Sequence, residues 1–262
     1  MITRLQAEEV KQLVKGVGEY IRTERINFNS SLVEHKDVHD MVSYVDKTSE
    51  EKLISGLQKI IPDSSFLGEE SGDKETSSEY KWIIDPLDGT TNFIHNIPHF
   101  CISIGLLHNG KTIAGWVYEI CNDEMFTAKL GEGAFLNIEK ISVTKTSELH
   151  QSLMGTGFPV REYSKLKEYL QLQQWAIENT RGIRRLGTAA YDLCLVACGR
   201  LDGFYEPGLS PWDVCGGALV VQEAGGKVTD FGGEQNFLNG KEILATNGIL
   251  HDSILKAVNV YM

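Results

Sequence analysis

Long apolar runs are missing from this chain. None approaches the roughly 18 residues that a membrane-crossing helix needs. The opening MITRLQAEEV also lacks the apolar heart of a secretory signal. Basic residues are short: 25 Lys and Arg face 36 Asp and Glu, for a net charge of −11. That argues against a broad nucleic-acid surface, which requires a basic patch. An acidic protein still binds phosphate where metal ions neutralise the site. Cysteine is sparse and odd in number: Cys101, Cys121, Cys194, Cys198 and Cys215, each among apolar or small residues. This reads as buried thiols in a reducing compartment, not a disulfide framework. Cys194 and Cys198 stand four apart on an expected helix, which is not zinc-knuckle spacing. Internal repeats, low-complexity linkers and a G-x-S-x-G nucleophile elbow are absent too. A cytoplasmic protein without a membrane segment is expected.

What is present is ordinary for a globular chain: 262 residues, 42% hydrophobic and 23% charged, enough for one large domain or two packed ones. Leu13, Val14, Val17, Tyr20 and Ile21 recur at helical spacing, so about the first 25 residues form an amphipathic helix. Leu53, Ile54, Leu57, Ile60 and Ile61 mark a second helix, with Thr48 and Glu51 as its expected capping box and Pro62 as its stop. A short strand over 65–68 runs to Glu69-Glu70, and 71–79 is a polar loop. Further strands are predicted at 101–107, 112–118, 124–128, 203–206 and 243–246. Helices are predicted at 163–178, 187–198, 212–224 and after Asn247-Gly248. The first half is helices followed by mostly antiparallel strands, and the second alternates strand and helix. A soft boundary falls near 140–150, with both halves sharing one layered core.

Two motifs dissolve on inspection. Gly105 to Thr112 matches the phosphate-loop pattern, but Ile113, Trp116 and Val117 continue as a strand, not a helix. Asn109-Gly110 there is a type I′ hairpin turn. Gly155-Thr-Gly157 hints at a dinucleotide fingerprint, but it lacks the third glycine and meets Pro159.

A set of carboxylates at the ends of apolar segments survives. Glu69 and Glu70 follow Phe66-Leu67-Gly68, Asp85 and Asp88 follow Trp82-Ile83-Ile84, Asp213 follows Pro211-Trp212, and Asp46 precedes the second helix. Taken singly, Asp46 and Asp213 read as helix N-caps, Glu69-Glu70 as a solvated corner, and Asp85-Pro-Leu-Asp88 as a turn. The block Asp85-Pro86-Leu87-Asp88-Gly89-Thr90-Thr91 is harder to dismiss. Pro86 stiffens the chain between two carboxylates. Two charges roughly 4 Å apart repel by about 4 kcal/mol at an effective dielectric near 20. Hard divalent cations take oxygen ligands and offset that repulsion. Gly89 permits close backbone approach, and Thr90 and Thr91 add hydroxyls and N–H donors.

These blocks resemble the inositol monophosphatase family. The matching residues are Gly68-Glu69-Glu70-Ser71, Trp82 through Phe93, Arg185-Leu186-Gly187-Thr188-Ala189-Ala190, Trp212-Asp213 and Glu223-Ala224-Gly225-Gly226, all in order along nearly the whole chain. The resemblance implies an α/β fold, a layered αβαβα sandwich of the inositol monophosphatase and fructose-1,6-bisphosphatase type. Residues 1–145 would form an N-terminal α+β half and 146–262 a C-terminal α/β half of one compact unit. It implies Mg²⁺, two to three ions per site. One would be held by Glu69, Asp85 and the Leu87 carbonyl, a second by Asp85, Asp88 and Asp213, and a weaker third would lean on Glu69. Thr90, oriented by Asp46, would position with Glu69 a metal-activated water that attacks phosphorus directly. Phosphate would rest on the N–H groups of Gly89 and Thr90. Asp88, Ala189 and Glu206 would face the alcohol, with Lys36 nearby.

The implied reaction is hydrolysis of a phosphate monoester, foremost myo-inositol monophosphate. The same chemistry on fructose 1,6-bisphosphate, 3′-phosphoadenosine 5′-phosphate or histidinol phosphate is the alternative. A non-enzymatic role on a protein or RNA partner ranks lower. A homodimer, lithium sensitivity and a bacterial-type member are also implied. Arg184 and Arg185 would serve a second phosphate or a subunit interface.

Overall fold

The computed structural model describes residues 2–27, 34–37, 40–74, 78–159 and 163–262. Helix α1 (Arg4–Ile26) opens on a capping box, with Thr3 Oγ1 accepting from Gln6 N at 3.2 Å. It buries Val10, Val14, Val17 and Ile21 along one stripe. A hairpin of β1 (Glu34–Asp37) and β2 (Asp40–Val42) leads to α2 (Tyr44–Ile60). The capping box of α2 is Ser43 with Asp46, not Thr48 with Glu51. Both pairs fit the pattern, but the chain turns into the helix one turn earlier than its apolar periodicity shows.

The large sheet comprises β3 (Ser65–Gly68), β4 (Gly72–Lys74), β5 (Tyr80–Asp88), β6 (Cys101–His108), β7 (Lys111–Glu119), β8 (Glu124–Lys129), β9 (Gly133–Leu136) and β10 (Glu139–Lys140). Its order is β10-β9-β8-β7-β6-β5-β3-β4, with β3 and β5 parallel and the other neighbours antiparallel. Short α3 (Thr90–Ile94) lies between β5 and β6. The expected polar loop at 71–79 contributes β4. The β6–β7 turn is the type I′ hairpin, with positive φ at Asn109 (50°) and Gly110 (79°).

The small sheet has the order β12-β11-β13-β15-β14, built from β11 (Leu153–Thr156), β12 (Gly182–Arg184), β13 (Gly203–Pro207), β14 (Lys227–Thr229) and β15 (Glu242–Thr246). Four helices belong to this half: α4 (Leu166–Asn179), α5 (Ala189–Ala197), α6 (Pro211–Glu223) and α7 (His251–Tyr261).

Five layers result. Helices α1 and α2 cover one face of the large sheet, α5 and α6 fill the space between the sheets, and α4 and α7 cover the outer face of the small sheet. That is the expected αβαβα sandwich. A helix enclosed on both sides must be apolar all round, and all nine residues of α5 are buried. Helix α6 lies close on the large sheet through glycines. A Cβ on Gly115 would meet the Gly216 carbonyl oxygen at 2.6 Å, and one on Gly216 would meet the Ile104 carbonyl oxygen at 2.7 Å. The five cysteines are free thiols. No described helix is long and apolar enough to cross a membrane.

Candidate functional site

Strand β5 lies inside the large sheet between β3 and β6, and Asp85 and Asp88 sit at its carboxyl end. The ladder to β6 shifts between Asp85↔Ser103 and Asp88↔Cys101, a bulge that falls on Pro86-Leu87. Proline has no N–H for the ladder, and bulges re-aim side chains. Asp85 is 1% exposed, and its Oδ1 accepts from Leu87 N at 3.0 Å. Asp88 Oδ2 accepts from Ala190 N at 2.7 Å, on the first turn of α5.

Gly89 ends the strand at φ 96°. The neighbour needing room there is the chain itself: a Cβ would meet Thr188 Oγ1 at 2.7 Å and His99 O at 3.0 Å. Thr90 Oγ1 is 2.9 Å from Asp46 Oδ1 and 3.0 Å from the Leu87 carbonyl oxygen, and its single hydrogen serves one of them at a time. Asp46 is 1% exposed and is an N3 residue, not an N-cap; its Oδ2 accepts from Ser43 N at 2.9 Å and Ser43 Oγ at 2.6 Å. Asp213 is likewise N3 of α6, with Oδ2 accepting from Ser210 N at 2.7 Å. Glu69 stands on the turn after β3, beside the end of β5.

Electrostatics bind these residues into one cluster. Burial, then the charges of Glu69, Asp88 and Asp213, hold the Asp85 carboxyl well above the usual range. Burial, then Asp213, does the same to Asp88, with Glu69 and Glu206 adding to it. Glu206, at the end of β13, is pushed up by burial, then by Asp192 and Asp213. A single backbone N–H opposes the shift at Asp85 and another at Asp88. Among the described residues, no three or more of the His, Cys, Asp and Glu side chains close into a finished metal cage. The donors are nonetheless all oxygen and mutually repelling, Asp85 buried and Glu69, Asp88 and Asp213 half-buried, with the Leu87 carbonyl beside them. That chemistry fits a hard divalent cation such as Mg²⁺.

The structure also places Ala189 at the first position of α5, 6% exposed, with its neighbour Ala190 on Asp88. Lys36 lies on β1, and its side chain lies outside the described residues. Gly157, the supposed dinucleotide glycine, faces Glu206, whose carboxyl a Cβ would strike. Asp192 escaped sequence reasoning. It is 1% exposed, its Oδ1 has no hydrogen-bond partner among the described residues, and its charge acts on Glu206. The signal was there: one carboxylate in the otherwise uncharged run AAYDLCLVA.

Strand-end carboxylates gathered between two sheets of a five-layer sandwich define a phosphatase. The chain belongs to the inositol monophosphatase family, whose sequence profile matches residues 5–262. The putative Nus factor SuhB of Neisseria meningitidis serogroup B is 43% identical over 237 residues, covering 90% of this chain and 91% of its own. Inositol monophosphatase 2 of Solanum lycopersicum is 41% identical over 255 residues, covering 95% and 96%. The crystal structure of the extragenic suppressor protein suhB from Bartonella henselae is 37% identical and matches with a TM-score of 0.92, over 98% of this chain and 99% of that one.

Proposed function

We propose that the chain hydrolyses the phosphate monoester of a polyol, foremost myo-inositol monophosphate, with Mg²⁺ held by Glu69, Asp85, the Leu87 carbonyl, Asp88 and Asp213. The observation that carries this is the oxygen-only donor set arriving from β5, α6 and the turn after β3. Bound divalent ions would supply charge against the phosphate and lower the pKa of a bound water.

The chain's own groups do the rest. Asp46 accepts the Thr90 hydroxyl hydrogen, so Thr90 Oγ1 offers lone pairs to orient an attacking water. Glu69 takes the proton as that water's oxygen bonds to phosphorus and the bond to the alcohol oxygen breaks, that oxygen keeping the bonding pair and taking a proton from solvent as it leaves as the alcohol. The N–H groups of Gly89 and Thr90 face the phosphate at the start of α3. No side chain needs to carry the phosphoryl group. Cys101, opposite Asp88 in the ladder, is a poor nucleophile: burial, then Asp88 and Asp85, push its thiol well above its ordinary range, so it stays protonated.

The alcohol would meet Asp88, Ala189 and Glu206, with Asp192 behind and Lys36 near. Carboxylates accept hydrogen bonds from adjacent hydroxyls. Arg185 lies over the Phe158 ring, 5.1 Å from its centroid, and its charge opposes the shifts of both Asp192 and Glu206. The same reading carries a cytoplasmic homodimer inhibited by lithium, and a monomeric mass in light scattering would remove the dimer.

The test is phosphate release by purified protein with Mg²⁺ from inositol monophosphates, fructose 1,6-bisphosphate, 3′-phosphoadenosine 5′-phosphate and histidinol phosphate. Inositol monophosphates should turn over fastest, and chelation should abolish the reaction. Full activity in excess chelator, or preference for a bisphosphate, overturns the reading. A second reading, binding to a macromolecular partner, rests on the name Nus factor SuhB carried by relatives. A net charge of −11 points such a role toward a protein rather than RNA. A partner retained equally by wild type and an inactive Asp85→Asn variant would support it.

A further inference from the structure

The turn that carries Glu69 is held from two sides. Glu69 donates its own N–H to the Ile84 carbonyl on β5 at 3.2 Å. The next two N–H groups go the other way, to Glu50 on α2: Glu70 N to Oε2 at 2.9 Å and Ser71 N to Oε1 at 2.9 Å. Three successive backbone donors are thus fixed, and each Glu50 oxygen has one of them. Glu50 is 2% exposed. Gly68, immediately before Glu69, makes room for it, since a Cβ there would collide with the Glu50 carboxyl. Gly68 also pairs with Ile84 in the parallel ladder, and Ile84 directly precedes Asp85. Any slip of the turn therefore changes the placement of Glu69 against Asp85.

The geometry points to Glu50 as a positioning residue for the metal site: its carboxylate sets where Glu69 stands without itself meeting metal or substrate. The inference rests on the proposed metal-dependent phosphatase reading. A Gln at this position keeps the size but turns one acceptor into an NH₂ that faces a backbone N–H. An Asp keeps the charge but is one methylene too short for both contacts. Glu223 supplies the control. It clamps the turn between β8 and β9 in the same way, accepting from Gly131 N and Gly133 N at 2.8 Å each. It lies about 15 Å along α6 from Asp213.

The experiment measures Mn²⁺ and Mg²⁺ binding by calorimetry, metal-free melting temperature, and amide exchange of Glu70 and Ser71. It compares wild type, Glu50→Gln, Glu50→Asp and Glu223→Gln, with turnover followed against Mg²⁺ concentration. Both Glu50 variants should bind metal about 10–100-fold more weakly. Their turnover should recover toward wild type at saturating Mg²⁺, and the two amides should exchange faster. Glu223→Gln should bind metal as wild type does. Wild-type affinity in Glu50→Gln overturns the inference. Full restoration by Glu50→Asp shows that charge rather than position acts, and overturns it too. If the Glu50 variants do not fold, Gly68→Ala displaces the same carboxylate, and normal metal affinity there is equally fatal. Wild-type protein that binds neither ion overturns the metal reading, and the inference with it.

Discussion

Replacing Asp213 by Asn exchanges one oxygen for an amide nitrogen. The remaining oxygen still accepts from Ser210 N, so the start of α6 should hold. Turnover should fall at least about 100-fold, beyond the loss seen when a mere supporting group of a metal ligand goes. Metal-free melting should stay level or rise, because one repelling carboxylate has left the cluster. Turnover and metal-free melting of both proteins, measured side by side, check this, and near-normal turnover would remove Asp213 from the site. His251 gives a different expectation. It is fully buried, with ring nitrogens 3.0 Å from Thr246 Oγ1 and 3.1 Å from Thr229 Oγ1. Burial, then the Lys227 charge, lowers its pKa from 6.5 to about 4. Between those values the unfolded chain takes up a proton that the native state refuses, so stability falls as pH drops through that window, by up to about 3 kcal/mol. Melting at pH 7 and pH 5 should diverge more for wild type than for His251→Gln; equal divergence refutes it. Asp85 and Asp88 were legible as a pair because only the stiff dipeptide Pro86-Leu87 separates them, with Gly89 directly after. Glu50 was not, because its partners are backbone groups 20 and 21 residues away, which no side-chain pattern marks.

The fit of α6 on the large sheet is the element-scale counterpart. Gly115→Ala sets a methyl group against the Gly216 carbonyl, backbone against which no side chain can give way. It should cost about 1–3 kcal/mol of stability and lower turnover as well, since α6 carries Asp213. Gly16→Ala, within α1 and with nothing near its added Cβ, should instead stabilise by about 0.5–1 kcal/mol. Melting curves and turnover of both variants check the contrast, and a harmless Gly115→Ala would mean that the helix has room to move. The long elements were legible because periodicity needs length. Strands β9, β10, β12 and β14 were not, being two to four residues long and mostly Gly or charged at their ends. They exist because a neighbour already offers its edge, which is a tertiary fact. The Asp46 cap was misread for a related reason: Thr48-Ser-Glu-Glu51 satisfies the same local rule as Ser43-Tyr-Val-Asp46, and only packing chooses.

For the molecule as a whole, the middle layer decides how it unfolds. We propose that 1–145 and 146–262 form one cooperative unit. Helices α5 and α6 belong to the second half by sequence, but they share a core with Cys101, Val117 and Phe126 of the first. Scanning calorimetry should show a single transition whose van't Hoff and calorimetric enthalpies agree. Two resolved transitions, or an independently folded 1–145 fragment, would contradict it.

That shared layer also sets a timetable for synthesis. The large sheet is finished when β10 leaves the ribosome, but the helices that cover its inner face have not yet been made. At about 5–20 residues per second, the roughly 80 residues to the end of α6 take about 4–16 s. During that interval the nascent chain presents Val117 and Phe126 uncovered, along with Asp85 and Asp88 still waiting for Asp213. On the proposed ligand set, metal could not template the early fold, because Asp213 has not yet been made. The half-made chain is therefore the form in which this protein is most exposed to aggregation, and the form that a chaperone would have most reason to meet.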